Sequence, residues 1–179
     1  MTVKTRTLVQ IALLAALTAV LSQISIPLPF TPVPLSLGTL GGFLAIGLLS
    51  PKSAAASQLV YVLLGAVGLP VFAGFRGGLG VLVGPTGGYL IGYIISAIIG
   101  GIVLQKIPKK IYGSIIAMMA GLFCCYVFGT VWFMWITHTG LLASLTSCVI
   151  PFLPGDAIKI ILAALLSFKL RPILQKSMA

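Results

Sequence analysis

Apolar residues run along this chain in long blocks, and the short stretches between them collect prolines, glycines and nearly all the charge. Six blocks predict six membrane helices, near Leu8–Ser25, Leu37–Leu49, Ser53–Leu69, Gly84–Gln105, Ile111–Thr137 and Pro154–Leu170. Crossing the hydrocarbon core takes about 20 predominantly apolar residues. The second block is too short for that and reads as tilted, extended by its preceding loop, or not fully spanning. No polar block is large enough to fold outside the bilayer. Residues 1–179 therefore read as one all-α, polytopic membrane domain whose backbone polar groups are satisfied within helices.

Small residues add a second periodicity. Gly84, Gly88, Gly92, Ser96 and Gly100 recur at every fourth position of the fourth helix, as do Gly113, Ala117, Gly121, Cys125 and Gly129 on the fifth. Such ridges let backbones approach closely, so these two helices are expected to pack ridge to ridge. Helix one carries its own small stripe, with Ala12, Ala16 and Thr18–Ala19 and with Ala15 offset. From spacing alone it serves packing within the chain or docking to another membrane subunit, and packing is the simpler reading.

Two loops break the helical pattern. In residues 26–34 Pro27, Pro29, Pro32 and Pro34 alternate with other residues, and proline there excludes both helix and central strand. Residues 71–83 form a glycine-rich apolar loop around Arg76. Two apolar loops above a bundle read either as the roof of a pocket or as plain interfacial loops.

Composition supports the membrane reading. Hydrophobic residues make up 59% of the 179 positions and charged residues 7%, against about a quarter charged in soluble domains. The net charge of +10 does not imply nucleic acid, because the basic residues fall at helix ends and not on one contiguous polar surface. Six helices put both termini on one side, together with Lys4, Arg6, Lys52, Lys106, Lys109, Lys110, Lys169, Arg171 and Lys176. Arg76 is left on the other side, with Lys159 just within the membrane. This asymmetry places the N and C termini in the cytoplasm. Lys4 and Arg6 ahead of the first block raise the possibility of a signal peptide, but the apolar segments that follow make it a retained first helix. Trp132, Trp135 and His138 suit an outer interface. Cys124, Cys125 and Cys148 lack metal-ligand spacing and read as packing residues.

The chemistry concentrates at one place. Asp156 is the sole acidic residue and opens the sixth helix, with Lys159 one turn on. An acid in the first turn suits the helix dipole, whereas a cation there opposes it. Burying that cation costs about 2.5–3.5 kcal/mol unless it pairs or snorkels. The two residues form either a structural ion pair or a site for a small polar ligand. In the second case Asp156 accepts N–H donors, Lys159 donates to oxygen, and Arg76 supplies a charge suited to a carboxylate. With one acid, one histidine and no Walker sequence, the chain offers little for catalysis, no metal site and no ATP hydrolysis of its own.

Four ordered blocks carry a resemblance: Val33–Leu37, Tyr61–Gly74, Gly84–Tyr89 and Pro151–Lys159. Together they resemble the BioY family, the biotin-specific S components of energy-coupling-factor (ECF) vitamin transporters. The resemblance implies a multi-pass protein of the prokaryotic cell membrane that captures biotin near the extracellular face. It also implies partners, a transmembrane coupling T subunit and two ABC-type ATPases, and a toppling motion that carries the site to the cytoplasm. Under it Ala12 and Ala16 match the stripe that contacts the coupling subunit, and Asp156 and Lys159 match the paired polar residues that recognise biotin. No cofactor is implied; biotin is the transported substrate. Loop position then suggests Tyr89 and Phe75 against the biotin rings, with Arg76 at its carboxylate and Thr86 nearby. The chain departs from the family where Gly38 replaces a common glutamine, which removes one candidate amide contact. Competing readings are an S component or solitary carrier for another vitamin, and a non-transporting membrane scaffold with a structural ion pair.

Overall fold

The computed structural model describes residues 5–108 and 110–176, so Lys4 and Lys109 lie outside the described residues. Among those residues the chain forms α1 (Thr5–Gln23), β1 (Ser25–Ile26), β2 (Leu35–Ser36), α2 (Gly38–Leu48), α3 (Pro51–Ala66) and α4 (Leu79–Val83). It continues through α5 (Gly87–Lys106), α6 (Ile111–Thr137), α7 (Leu141–Cys148), a 3-10 turn (Ile150–Phe152) and α8 (Leu153–Lys176).

Among the described residues, four helical segments are long and apolar enough to cross a membrane: Thr5–Gln23, Gly87–Lys106, Ile111–Thr137 and Leu141–Pro172. α3, with 16 residues, and α2, with 11, are shorter. At 1.5 Å per residue α2 reaches about 16 Å, roughly half the hydrocarbon core. The short second helix expected from sequence is thus present. Its position explains how it is accommodated. α2 packs against α1, α3, α5, α6 and α8, and it buries Phe43, Leu44, Ala45 and Ile46 together with Gly38, Gly41 and Gly47. A helix that is apolar on every side belongs in an interior.

α5 and α6 pack along the small-residue ridges. A Cβ added at Gly92 would lie 2.8 Å from Cys125 Sγ, and one at Gly121 would lie 2.7 Å from Ser96 Oγ. Larger residues at either position would force the helices apart. The outward faces are apolar instead: Leu8, Val9, Leu13 and Val20 on α1 and Ile158, Ile161 and Leu162 on α8 are all exposed. Apolar surface of this extent is what a bilayer solvates.

Local chemistry sets the helix ends. α3 begins with Ser50, whose side chain accepts from the Ser53 amide, followed by Pro51 at the first helical position. α6 ends at His138 in the left-handed conformation. α1 stops at Gln23 because Ser25 and Ile26 pair antiparallel with Ser36 and Leu35. Between the fifth and sixth blocks of the sequence pattern, α7 and its 3-10 turn return the chain to α8.

The packing gathers Lys52, Lys106, Lys110 and Arg171 toward one end of the bundle. The start of α3 meets the end of α5 where Pro51 faces Gly101. Arg171 donates to the Gly47 carbonyl at 2.6 Å and to Ser114 Oγ at 3.0 Å, joining α8 to α2 and α6.

Candidate functional site

The first turns of α8 and α2 meet toward the opposite end. Asp156 and Lys159 are 2% and 5% exposed, and Lys159 Nζ lies 2.8 Å from Asp156 Oδ1. Burial of two charges is costly unless other partners satisfy them. Here they are satisfied. Thr39 donates its hydroxyl to Asp156 Oδ1 at 3.1 Å and accepts from Lys159 Nζ at 3.1 Å. Lys159 also donates to the Ser36 carbonyl at 2.6 Å, and Tyr126 donates to Asp156 Oδ2 at 2.5 Å.

Counting donors and acceptors shows what this network can accept. An ammonium has three donors, and Asp156, Thr39 and Ser36 occupy all three. A carboxylate has about four lone-pair positions, of which Lys159, Thr39 and Tyr126 take three. One acceptor position of Asp156 is therefore left for a ligand N–H. A ligand oxygen reaches Lys159 only by displacing Ser36 or Thr39, a distinction the sequence could not show.

Two adjoining chambers surround this network. One, of about 50 Å³, is lined by Thr39, Tyr126, Asp156 and Lys159. The other, of about 60 Å³, is lined by Tyr61, Phe72, Arg76 and Thr86. Val33, Pro34, Ser36, Tyr89 and Tyr93 line both. The proline-rich segment and the loop around Arg76 are thus roof elements, which decides between the two readings of these loops. Pockets for small organic molecules usually enclose about 300–1,000 Å³. Each chamber alone is smaller than that, and the two share a wall of Val33, Pro34, Ser36, Tyr89 and Tyr93.

Aromatic side chains shape the larger chamber. Tyr61 meets Phe72 edge-on at 5.6 Å and stacks with Tyr93 at 6.2 Å. Its hydroxyl pairs with Ser22 Oγ at 2.9 Å. Tyr89 lies across Gly129 of α6, where a Cβ would strike its ring, and its hydroxyl pairs with Thr130 at 3.2 Å. The backbone at Gly38 is equally close-fitting, since a Cβ there would lie 2.5 Å from Ser22 Oγ.

The structure brings Asp156, Lys159, Tyr89, Thr86 and Arg76 to the chamber walls. Phe75, expected against a ligand ring, is not among them. Phe72 and Arg76 close the loop by exchanging backbone hydrogen bonds of 2.9 and 3.2 Å. Gly74 and Phe75 at its tip adopt φ of 73° and 57°. This turn leaves the Phe75 ring 71% exposed, while Phe72 is buried. The sequence reading also missed Thr39, Tyr126 and the Ser36 carbonyl. Ala12 and Ala16 face outward on α1, while Ala15 is buried.

The BioY family model matches residues 1–176. The chain belongs to the BioY family. The biotin transporter BioY of Thermotoga maritima is 39% identical over 167 residues, covering 93% of this chain and 96% of that protein. Its namesake from Rhodobacter capsulatus is 36% identical over 174 residues, covering 90% and 91%. A 2.1 Å crystal structure of the S-component for biotin from an ECF-type ABC transporter superposes with a TM-score of 0.88 at 33% identity. That match covers 96% of this chain and 95% of the other. BioY proteins are transporters, and the apolar helices here make this one a multi-pass membrane protein.

Proposed function

We propose that this chain is the substrate-capturing S component of an ATP-driven biotin importer. The observation that carries the reading is the remaining acceptor position on buried Asp156, at the edge of an aromatic-walled chamber. Biotin presents ureido N–H donors, an apolar bicyclic ring and a carboxylate. One of its N–H groups suits Asp156, its ureido oxygen suits Lys159 once Ser36 is displaced, and its rings suit Tyr89 and the Tyr61–Phe72 wall. Arg76, at the other chamber, suits the carboxylate, with Thr86 beside it. The names of the relatives support the same substrate.

The proposed arrangement in the membrane has six crossing segments, α1, α2 with its preceding loop, α3, α5, α6 and α8. The cluster of basic residues at one end favours cytoplasmic termini, with the chambers toward the outside. Ala12 and Ala16 on the outward face of α1 form the docking stripe for a transmembrane coupling subunit, and two ABC ATPases supply the energy. The setting is the prokaryotic cell membrane.

Calorimetric titration of the detergent-purified chain tests the capture role, with desthiobiotin and riboflavin as comparisons. Biotin should bind tightly and riboflavin should not. Folded protein that binds no biotin overturns the proposal.

A further inference from the structure

A separate groove runs along the outside of the bundle, between the first turns of α3 and the last turns of α5. Its volume is about 740 Å³, and Ala55, Ala56, Leu59, Ile94, Ile98 and Ile102 make its apolar part. Ser50, Lys52 and Gln105 provide polar groups at one end only. The small side chains of Ala55 and Ala56 create the depth, while Leu59, Ile98 and Ile102 remain exposed along its length. The groove shares no lining residue with the two chambers.

We propose that this groove binds an anionic phospholipid, with one acyl chain along α5 and the headgroup phosphate at Lys52. Charge complementarity carries the choice of occupant. Asp156 is the only acidic side chain in the sequence, and it is buried against Lys159. Lys52 is exposed and no carboxylate side chain is left in the chain to neutralise it, so an anionic headgroup meets no competing side chain there. A groove with polar groups at one end and hydrocarbon along the rest fits an amphiphile, whereas a wholly apolar helix of a partner would leave the Lys52 charge without a counter-ion. Basic residues at a bilayer surface attract anionic lipid with about 1 kcal/mol each, so Lys52 should favour such a lipid over a zwitterionic one about fivefold.

Native mass spectrometry of the detergent-purified chain, with phosphatidylglycerol or phosphatidylcholine of identical acyl chains added, reads this directly. The wild type should retain phosphatidylglycerol about fivefold better. Lys52→Gln should lower its retention to the phosphatidylcholine level, and Ala56→Phe, which fills the groove, should lower retention of both. Ile98→Trp repeats the blocking test should Ala56→Phe fail to elute as a single species. Equal retention of the two lipids by the wild type overturns the proposal, as does phosphatidylglycerol retention unchanged by Lys52→Gln. Retention of both lipids unchanged in Ala56→Phe and in Ile98→Trp also overturns it.

Discussion

Tyr126, on α6, donates its hydroxyl proton to Asp156, on α8, across 30 positions of sequence. That bond holds Oδ2 of the one acidic side chain of the protein, while Lys159 and Thr39 hold Oδ1. Tyr126→Phe removes the donor to Oδ2 and loosens the orientation of the carboxylate. Biotin affinity should fall about tenfold, corresponding to roughly 1.4 kcal/mol. Calorimetry on the variant checks this, and unchanged affinity would mean that Tyr126 does not orient the site.

Asp156→Asn leaves the Lys159 charge buried without its partner. Removing one member of a buried pair typically costs about 3–5 kcal/mol. Thermal unfolding should shift down sharply and biotin binding should be lost. Asp156→Asn combined with Lys159→Met removes both charges and should recover most of the stability with no recovery of binding. A double variant that binds biotin as well as the wild type would make the pair purely structural.

Arg76, on the chamber wall, is proposed to meet the ligand carboxylate. Arg76→Gln should weaken biotin about tenfold and leave biotin amide, which carries no charge there, nearly unaffected. The comparison of the two ligands is the measurement. An equal loss for both would place Arg76 in loop structure and not in recognition.

Phe72 and Phe75 lie three positions apart in one loop but on opposite sides of it. Phe72→Ala empties a buried site against Gly65 and Tyr61 and should cost about 3–5 kcal/mol of stability. Phe75→Ser should leave both stability and biotin affinity close to wild type. Unfolding and titration curves for the two variants, run side by side, check the assignment. A strong loss of binding in Phe75→Ser would bring its ring back to the ligand.

The helices were legible because a bilayer imposes long apolar runs, and α6 lies at the residues expected, Ile111–Thr137. The ridge pairing of α5 with α6 was legible for a similar reason, since small residues at every fourth position have few other uses in a membrane helix. Asp156 and Lys159 stood out because charge there is rare. Their partners did not. Thr39 reaches Asp156 across 117 positions and Ser36 reaches Lys159 across 123, and no local pattern marks a threonine or a backbone carbonyl for that role. Phe75 lies off the chamber walls because the handedness of a turn decides which ring faces inward, and apolar character alone carries no such sign. α7 was missed because an eight-residue apolar helix is too short to announce itself as a span.

The encasement of α2 has a consequence for how the protein is made. Eleven residues are too few to partition into a bilayer unaided, so α2 is held by its neighbours rather than by lipid. The chain emerges from the ribosome N-terminus first, and α8, which closes one side of α2, comes last. Thr39 is thus synthesised long before Asp156 and Lys159, and a nascent chain halted before α8 lacks the charged pair of the site. Competence to bind is in this way a record that translation has passed α8.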